Sequence, residues 1–479
     1  MVTRRDFLRQ ISIATAGLTM GGASDMVLAA GRNMTNATTR SVATKIKIAY
    51  IGIGNRGEQN IEEFEKTGRV EVIALCDVDL DGKQCEKVRK MYPKAKLFRD
   101  FRKMFDEIGN EFEAVMIATP DHNHFAPAML ALNQGKHVYV EKPLSCTFLE
   151  NQLLIDAANK HPELATQMGN QGHSEANYFQ FKAWKEAGLI KDVTKVNAHM
   201  NNIRRWHKWS ADIHRFPREE ALPAGMDWDT WLGPRHWHDY NHDYHQGQWR
   251  CWYDFGMGCL GDWAAHIIDT IHEFCELGLP YEVTLKKVEG WNQFFYPFSS
   301  TILFRFPARN GNPPVDITWY DGLGNYPELP KDYGASIENH NVPVTNYTET
   351  TQVTLNPGKE IYQADGTIFK GGTHAATLEI IGDRGKELAD VVAKIEVPQS
   401  PSNHYENFLN ACLGIEKTRS PFQIVGPLCQ AFSLGVIAQR LNAQLFFDER
   451  NKVITNNPFA NALLVGPEPR RGWEQFYKM

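Results

Sequence analysis

Two short stretches carry side chains that could pass a proton to or from a substrate. In Glu141-Lys142-Pro143 a lysine stands beside a proline that stiffens the turn. Its ammonium can hydrogen-bond a hydroxyl, and once desolvated it can also exchange a proton. The plain alternative is a surface lysine after a strand. In Gly261-Asp262-Trp263-Ala264-Ala265-His266 an aspartate and a histidine lie four apart. On a helix they share one face, and a helix opening after this glycine-rich loop would put Asp262 in its N-terminal turn. Imidazole titrates near working pH and suits general acid–base catalysis. The alternative here is Asp262 as a helix cap and His266 as a satisfied core histidine.

Such groups need a crevice to work in, and a third stretch predicts one. Ile46 to Ile51 reads as a buried strand. It runs into Gly52-x-Gly54-Asn55-Arg56-Gly57 and then a helix, Glu58 to Lys66. The first glycine permits a tight turn and the second lets backbone approach a pyrophosphate. The third lets the helix pack on the strand, so its N-terminal amides face phosphates. A second strand, Val70 to Cys76, ends in Asp77. That carboxylate can accept from both ribose hydroxyls and would repel a 2′-phosphate, so NAD is expected rather than NADP.

Beyond Asp77, helix and strand patterns alternate as in a doubly wound α/β fold. Helices are expected over Asp81–Tyr92, Phe101–Ile108, Ala126–Gln134 and Phe148–Lys160. Ala114–Ala118 delivers Thr119-Pro120-Asp121-His122-Asn123-His124, and His137–Val140 delivers Glu141-Lys142-Pro143. Both groups then sit at carboxyl ends of parallel strands, bordering the ligand crevice.

Thr119-Pro120-x-x-x-His124 and Glu141-Lys142-Pro143, behind a glycine-fingerprint strand, resemble the glucose–fructose oxidoreductase, inositol dehydrogenase and rhizopine-catabolism (Gfo/Idh/MocA) family. The resemblance runs from about Lys45 to Ile203 and resumes over Trp249 to Glu276. It implies a nicotinamide-dependent oxidoreductase acting on sugars or polyols. It places Lys142 in the active site with Asp262 and His266, His266 as acid/base and Asp262 orienting it or binding a hydroxyl. It implies cofactor contacts from Gly52, Gly54, Asn55, Arg56, Gly57, Asp77, Thr119, Pro120, His124, Glu141 and Lys142, with Glu141 in an orienting role. Substrate contacts are expected from Lys142, Gln171, His173, Arg204, Trp252, Asp262 and His266. The implied architecture is a Rossmann domain over 45–170 and an α+β domain over 171–479. The second carries a large open mixed sheet that often mediates subunit contact, so a homo-oligomer is expected.

Other stretches bear on substrate and setting. Arg204 to Gly261 interleaves seven tryptophans with six histidines and is punctuated by glycine and proline. Flat aromatic faces suit sugar rings; the alternative is a well-packed loop. His236-x-His238-x-x-x-His242-x-x-His245 is dense, but no helix pattern fixes a metal geometry, and no metal is expected. Tyr326 to Val353 reads as an insertion. A helix opens at His404, and the family has a similar one near its end, so His404 reads as structural. Another helix spans Leu428 to Leu441. A net charge of −6 offers no basic face for nucleic acid. Eight scattered cysteines without a C-x-x-C pair argue against a zinc site or disulfide framework. Arg4-Arg5 before Phe7-Leu8, an apolar run from Ile11 to Gly22 and a small-residue site at Val27-Leu28-Ala29 read as a twin-arginine-type signal over 1–30, then a linker over 31–44. The protein is therefore expected in the periplasm or otherwise exported, with no membrane span after cleavage. Hydride transfer is the leading function. The alternatives are NAD-dependent glycoside cleavage by transient oxidation and elimination, and a non-catalytic sugar-binding protein.

Overall fold

A computed structural model describes residues 44–200, 209–245, 248–330, 332–333 and 355–478. The expected signal and linker, Arg204 and most of the 326–353 insertion lie outside the described residues.

Six apolar runs form the first sheet: β1 (Ile46–Ile51), β2 (Val70–Cys76), β3 (Lys96–Phe98), β4 (Ala114–Ile117), β5 (His137–Val140) and β6 (Thr166–Met168). All its pairings are parallel, in the order β3-β2-β1-β4-β5-β6. Strands such as β1 and β4 are buried almost throughout, because helices cover both faces of a parallel sheet. Strand order reverses between β1 and β4, and a crevice opens there beyond the carboxyl ends. Gly52, Asp77, Thr119 and Lys142 all lie just past those ends. The helix Phe101–Ile108 buries Phe101, Met104, Phe105 and Ile108, and Asp100 caps it by accepting from the Arg102 amide. The helix expected over 81–92 is shorter. A turn closed by Gly82 N–H to the Asp79 carbonyl comes first, then a 3-10 turn Lys83–Cys85 and a helix Glu86–Met91.

The second sheet has nine strands. In chain order they are β7 (Val193–Met200), β8 (Glu282–Glu289), β9 (Ser299–Phe306), β10 (Val315–Asp321), β11 (Gly358–Gln363), β12 (Ile368–Gly371), β13 (Glu379–Ile380), β14 (Gln444–Asp448) and β15 (Val453–Ile454). Their spatial order is β13-β12-β11-β7-β10-β9-β8-β14-β15. The sheet is mixed: β7 and β10 run parallel, while β9 and β10 are antiparallel. The helix Phe422–Leu441 starts earlier than its periodicity suggested. It packs against the helix Phe148–Lys160 and against β8. Its length and composition would suit a membrane, but 78% of its apolar window is buried within the protein, which marks a core helix.

The chain finally returns to the first sheet. The helix His404–Cys412 carries a capping box between Asn403 and Glu406 and lays Tyr405 and Phe408 against Phe64 and Tyr139. Trp473 and Phe476 then pack on Phe101, and Tyr477 on Phe125. The Tyr477 hydroxyl donates to Glu150 at 2.6 Å.

Candidate active site

A cleft of about 1130 Å³ runs along the carboxyl ends of the first sheet, from Arg99 and His245 past the glycine turn to Lys142 and Arg250. At the turn Gly52 has φ +79°, and a Cβ there would lie 2.6 Å from the Ala118 carbonyl oxygen. A Cβ at Gly57 would collide with the Gly52 carbonyl. The backbone therefore folds closer than any side chain permits, leaving a cradle at the N-terminus of the 11-residue helix Arg56–Lys66. The Asp77 carboxylate is fixed above it. Its two oxygens accept from the Ile53 amide at 2.9 Å and the Asp79 amide at 3.0 Å. A pyrophosphate at the cradle and a ribose diol at Asp77 match this donor and acceptor set, so the residues present fit a dinucleotide.

Several predicted cofactor contacts act as braces. The His124 ring nitrogens face the Pro143 carbonyl at 2.7 Å and the Thr119 carbonyl at 2.9 Å, tying together the loops after β4 and β5. Thr119 Oγ1 donates to the Asn123 carbonyl at 3.0 Å. Glu141 accepts from Arg56 Nε at 3.2 Å and Asn60 Nδ2 at 2.8 Å. Burial alone would lower the Arg56 pKa; Glu141 outweighs it and holds the guanidinium firmly charged at the cleft edge. Gln171 points the same way, donating to Tyr139 at 3.2 Å and reaching Glu141 at 3.5 Å. Its amide thus supports Glu141.

At the other end, the Lys142–Pro143 peptide is cis. Lys142 Nζ donates to Asp262 Oδ1 at 2.6 Å and to the Asp262 carbonyl at 2.7 Å. Both side chains are buried, at 14% and 4% exposure, which strengthens the pair relative to one in water. Arg250 Nε stands 3.6 Å from the same carboxylate oxygen, its guanidinium 4.0 Å from the Trp249 ring centroid. Asp262 does not open a helix as expected. The helix Gly258–Trp263 ends just after it, and His266 closes the following 3-10 turn Ala264–His266. Gly258, at φ +58°, packs where a Cβ would meet the Tyr296 ring and starts that helix early.

His266 is 5% exposed. Its Nδ1 is buried with no hydrogen-bond partner, and its ring stacks on His374 at 3.9 Å and 23°. Burial, then the Lys142 ammonium and His374, push its pKa well below the ordinary histidine value, against the pull of Asp262. The imidazole is therefore neutral near pH 7 and able to accept a proton. Asp121 also lines the cleft, accepts from the Met257 amide at 3.2 Å, and is pushed up by burial. Sequence reasoning singled out neither Asp121, Arg250 nor His374 individually. Asp121 lay inside the flagged Thr119–His124 turn, whereas no local signal marked His374.

Two predicted substrate residues are corrected. His173 is 1% exposed. Its Nε2 lies 3.2 Å from Asp269 Oδ2, and its Nδ1 3.0 Å from the Arg419 carbonyl and 3.4 Å from Glu273. Burial alone would lower its pKa; Asp269 and Glu273 outweigh it and raise it to about 9. It is the cation of a buried cluster and does not line the cleft. Trp252, also 1% exposed, packs among Trp209, Phe216, Tyr244 and Phe295 and donates to the Asp243 carbonyl at 3.2 Å. It is the core of its loop; among the described residues Trp231 and Trp249 are the tryptophans that reach the cleft. The loop histidines take separate partners, His238 with Asp254 at 3.0 Å and His242 with Glu220 at 2.8 Å. Among the described residues no group of three His, Cys, Asp or Glu is arranged to hold a metal.

Comparison with known proteins bears on both ends of this cleft. Residues 46–169 match the family model described as an oxidoreductase family, NAD-binding Rossmann fold, and residues 180–278 match its C-terminal alpha/beta domain. An inositol 2-dehydrogenase of Salmonella paratyphi B is 28% identical over 158 residues, 33% of this chain and 46% of that protein. An alpha-N-acetylgalactosaminidase of Shewanella oneidensis is 28% identical over 227 residues, 43% of this chain and 47% of that protein. The chain thus spans about half the length of the curated relatives it matches. The solved WlbA dehydrogenase of Bordetella pertussis, in complex with NADH and UDP-GlcNAcA, covers 84% of this chain and 99% of its own. Its TM-score is 0.53 at 14% identity, a likeness of fold. The two matched stretches contain the glycine turn, Lys142, Asp262 and His266, and in them the chain resembles the Gfo/Idh/MocA family of oxidoreductases, whose first domain is an NAD-binding Rossmann fold.

Proposed function

We propose that this protein catalyses reversible hydride transfer between a hydroxyl-bearing carbon of a sugar or sugar derivative and a tightly bound nicotinamide dinucleotide. The observation that carries this reading is the Lys142–Asp262 pair, with Lys142 lining one end of a cleft whose other end is the glycine cradle and a neutral His266 buried close enough to feel both charges. When bound, the nicotinamide supplies a hydride acceptor or donor. The chain's own residues manage the proton. Lys142, anchored by Asp262, donates to the substrate oxygen and offsets charge developing there. His266, held neutral, takes the hydroxyl proton as the carbon is oxidised and returns it in the reverse direction. Asp262 holds Lys142 in place. Asp77 supports NAD over NADP, since its carboxylate would repel a 2′-phosphate. Arg4-Arg5 ahead of the apolar run supports export through a twin-arginine-type signal. The broad second sheet supports self-association.

A second reading keeps the first chemical step. Oxidation acidifies a neighbouring C–H bond, loss of that proton expels the glycosidic group, water adds to the resulting double bond, and return of the hydride to the carbonyl restores the sugar. The longer match to the Shewanella alpha-N-acetylgalactosaminidase favours it. Both readings meet one experiment. Nucleotide released from purified protein is identified by mass spectrometry, and a sugar panel is run on wild type, Lys142→Met and His266→Ala. Loss of turnover in both variants with nucleotide retained is expected; full activity in both overturns the assignment. Free sugar released from a glycoside without net NADH selects the second reading.

A further inference from the structure

His374 covers His266 from a segment far along the chain. It follows β12 in Gly371-Gly372-Thr373-His374 with φ +49°, the left-handed region that costs a non-glycine residue energy and persists where its surroundings enforce it. The His374 amide donates to the His266 carbonyl at 3.1 Å. Its Nδ1 faces Thr373 Oγ1 at 3.0 Å, and Trp263 meets its ring edge-on at 6.0 Å. On the far side Gly172 lies against the loop, near enough that a Cβ there would make ordinary contact with the His374 Cα at 3.5 Å.

A histidine that works as a base usually has its ring plane set by a hydrogen bond to its second nitrogen. His266 lacks that bond at Nδ1. What fixes its plane is the stacked ring of His374 at 3.9 Å. Resting on the dehydrogenase reading above, we infer that His374 is the positioning residue of His266, holding its imidazole plane by stacking. Two imidazolium rings at this separation repel, which disfavours charging both rings at once. The other charges facing the pair are Lys142 and Arg56, which oppose protonation, and Asp262 and Asp269, which favour it.

The test compares wild type, His374→Ala and His374→Phe as full-length, nucleotide-loaded protein. The phenyl ring keeps a stacking face but cannot titrate. The His266 ring is followed by NMR of protein labelled with ¹⁵N-histidine and assigned with His266→Ala, so one readout needs no substrate. In His374→Ala the His266 midpoint should rise by at least about one pH unit, with the acid limb of kcat/KM moving the same way and kcat falling about tenfold while KM changes little. His374→Phe should recover most of kcat through the restored stacking face. An unchanged His266 midpoint in both folded variants overturns the inference, as does equal loss of kcat in both. If wild type turns over no sugar yet its His266 midpoint moves in His374→Ala, the pairing stands and the dehydrogenase reading fails.

Discussion

The two ends of the cleft are built in opposite ways. At the nucleotide end, β1, the glycine turn, the helix Arg56–Lys66, β2 and Asp77 follow one another in 32 consecutive residues, 46 to 77. At the chemical end, Lys142 comes from the tip of β5, Asp262 and His266 from a broken helix in the second half, and His374 from a loop after β12. The first is local backbone geometry. The second exists only once distant segments are packed. The lesson is that binding and chemistry here fail separately: a fault in the glycine turn acts through backbone crowding, a fault at the chemical end through lost charge.

The largest expected effect would break the comparison if it spread. Lys142→Met should lower kcat by about 10³-fold, the range for losing a positioned proton-handling group, while mass spectrometry still finds nucleotide in the purified protein. Nucleotide lost as well would show the ends to be one unit. Next is Trp252→Ala, which empties the centre of the aromatic loop beneath the chemical end. Denaturant unfolding should show a loss of about 3–5 kcal/mol. A loss confined to sugar affinity, with stability intact, would return Trp252 to the binding role predicted for it. Gly52→Ala sharpens the contrast from the other side. The crowded Ala118 carbonyl should force the turn open, at a strain of about 1–3 kcal/mol. Calorimetry should then find nucleotide affinity weakened by about 10- to 100-fold, with the nucleotide-free protein losing no more stability than that strain.

The smallest effect is in the pH dependence of stability. His122 and His404 brace the first sheet, and burial lowers both to about 3. The unfolded chain then binds more protons below the ordinary value of about 6.5, so stability falls as pH drops from there towards 3. His173 has the opposite sign. Raised to about 9, its contribution is complete below about 6.5 and is lost as pH rises through 9. Thermal melts should therefore peak near pH 6.5, and His173→Gln should flatten only the alkaline side.

The sequence was most legible where structure is local. Val70–Cys76, Phe101–Ile108, His137–Val140 and Phe148–Lys160 form the elements their patterns predict, because apolar period and capping residue agree. Lys142 was legible from its place at a strand tip. β11 was not: it buries Lys359 and Glu360, so no apolar alternation announces a strand whose polar side chains are satisfied by neighbours far along the chain. Trp252 misled because an aromatic residue looks the same in a core and in a sugar platform; only its neighbours separate the two. His173 misled for a similar reason, since Asp269 and Glu273, which enclose it, are assembled from another part of the chain. His374 had no signal because its role is set by a ring it meets only after folding.

The return of the last helices to the first sheet has a consequence for biosynthesis. Phe64 and Tyr139 find their cover in Tyr405 and Phe408, and Phe101 and Phe125 find theirs in Trp473 and Tyr477. Until residues 405–408 and 473–477 have emerged, those rings lack the partners that bury them. A chain cut before residue 404 is therefore expected to show that apolar surface to proteases.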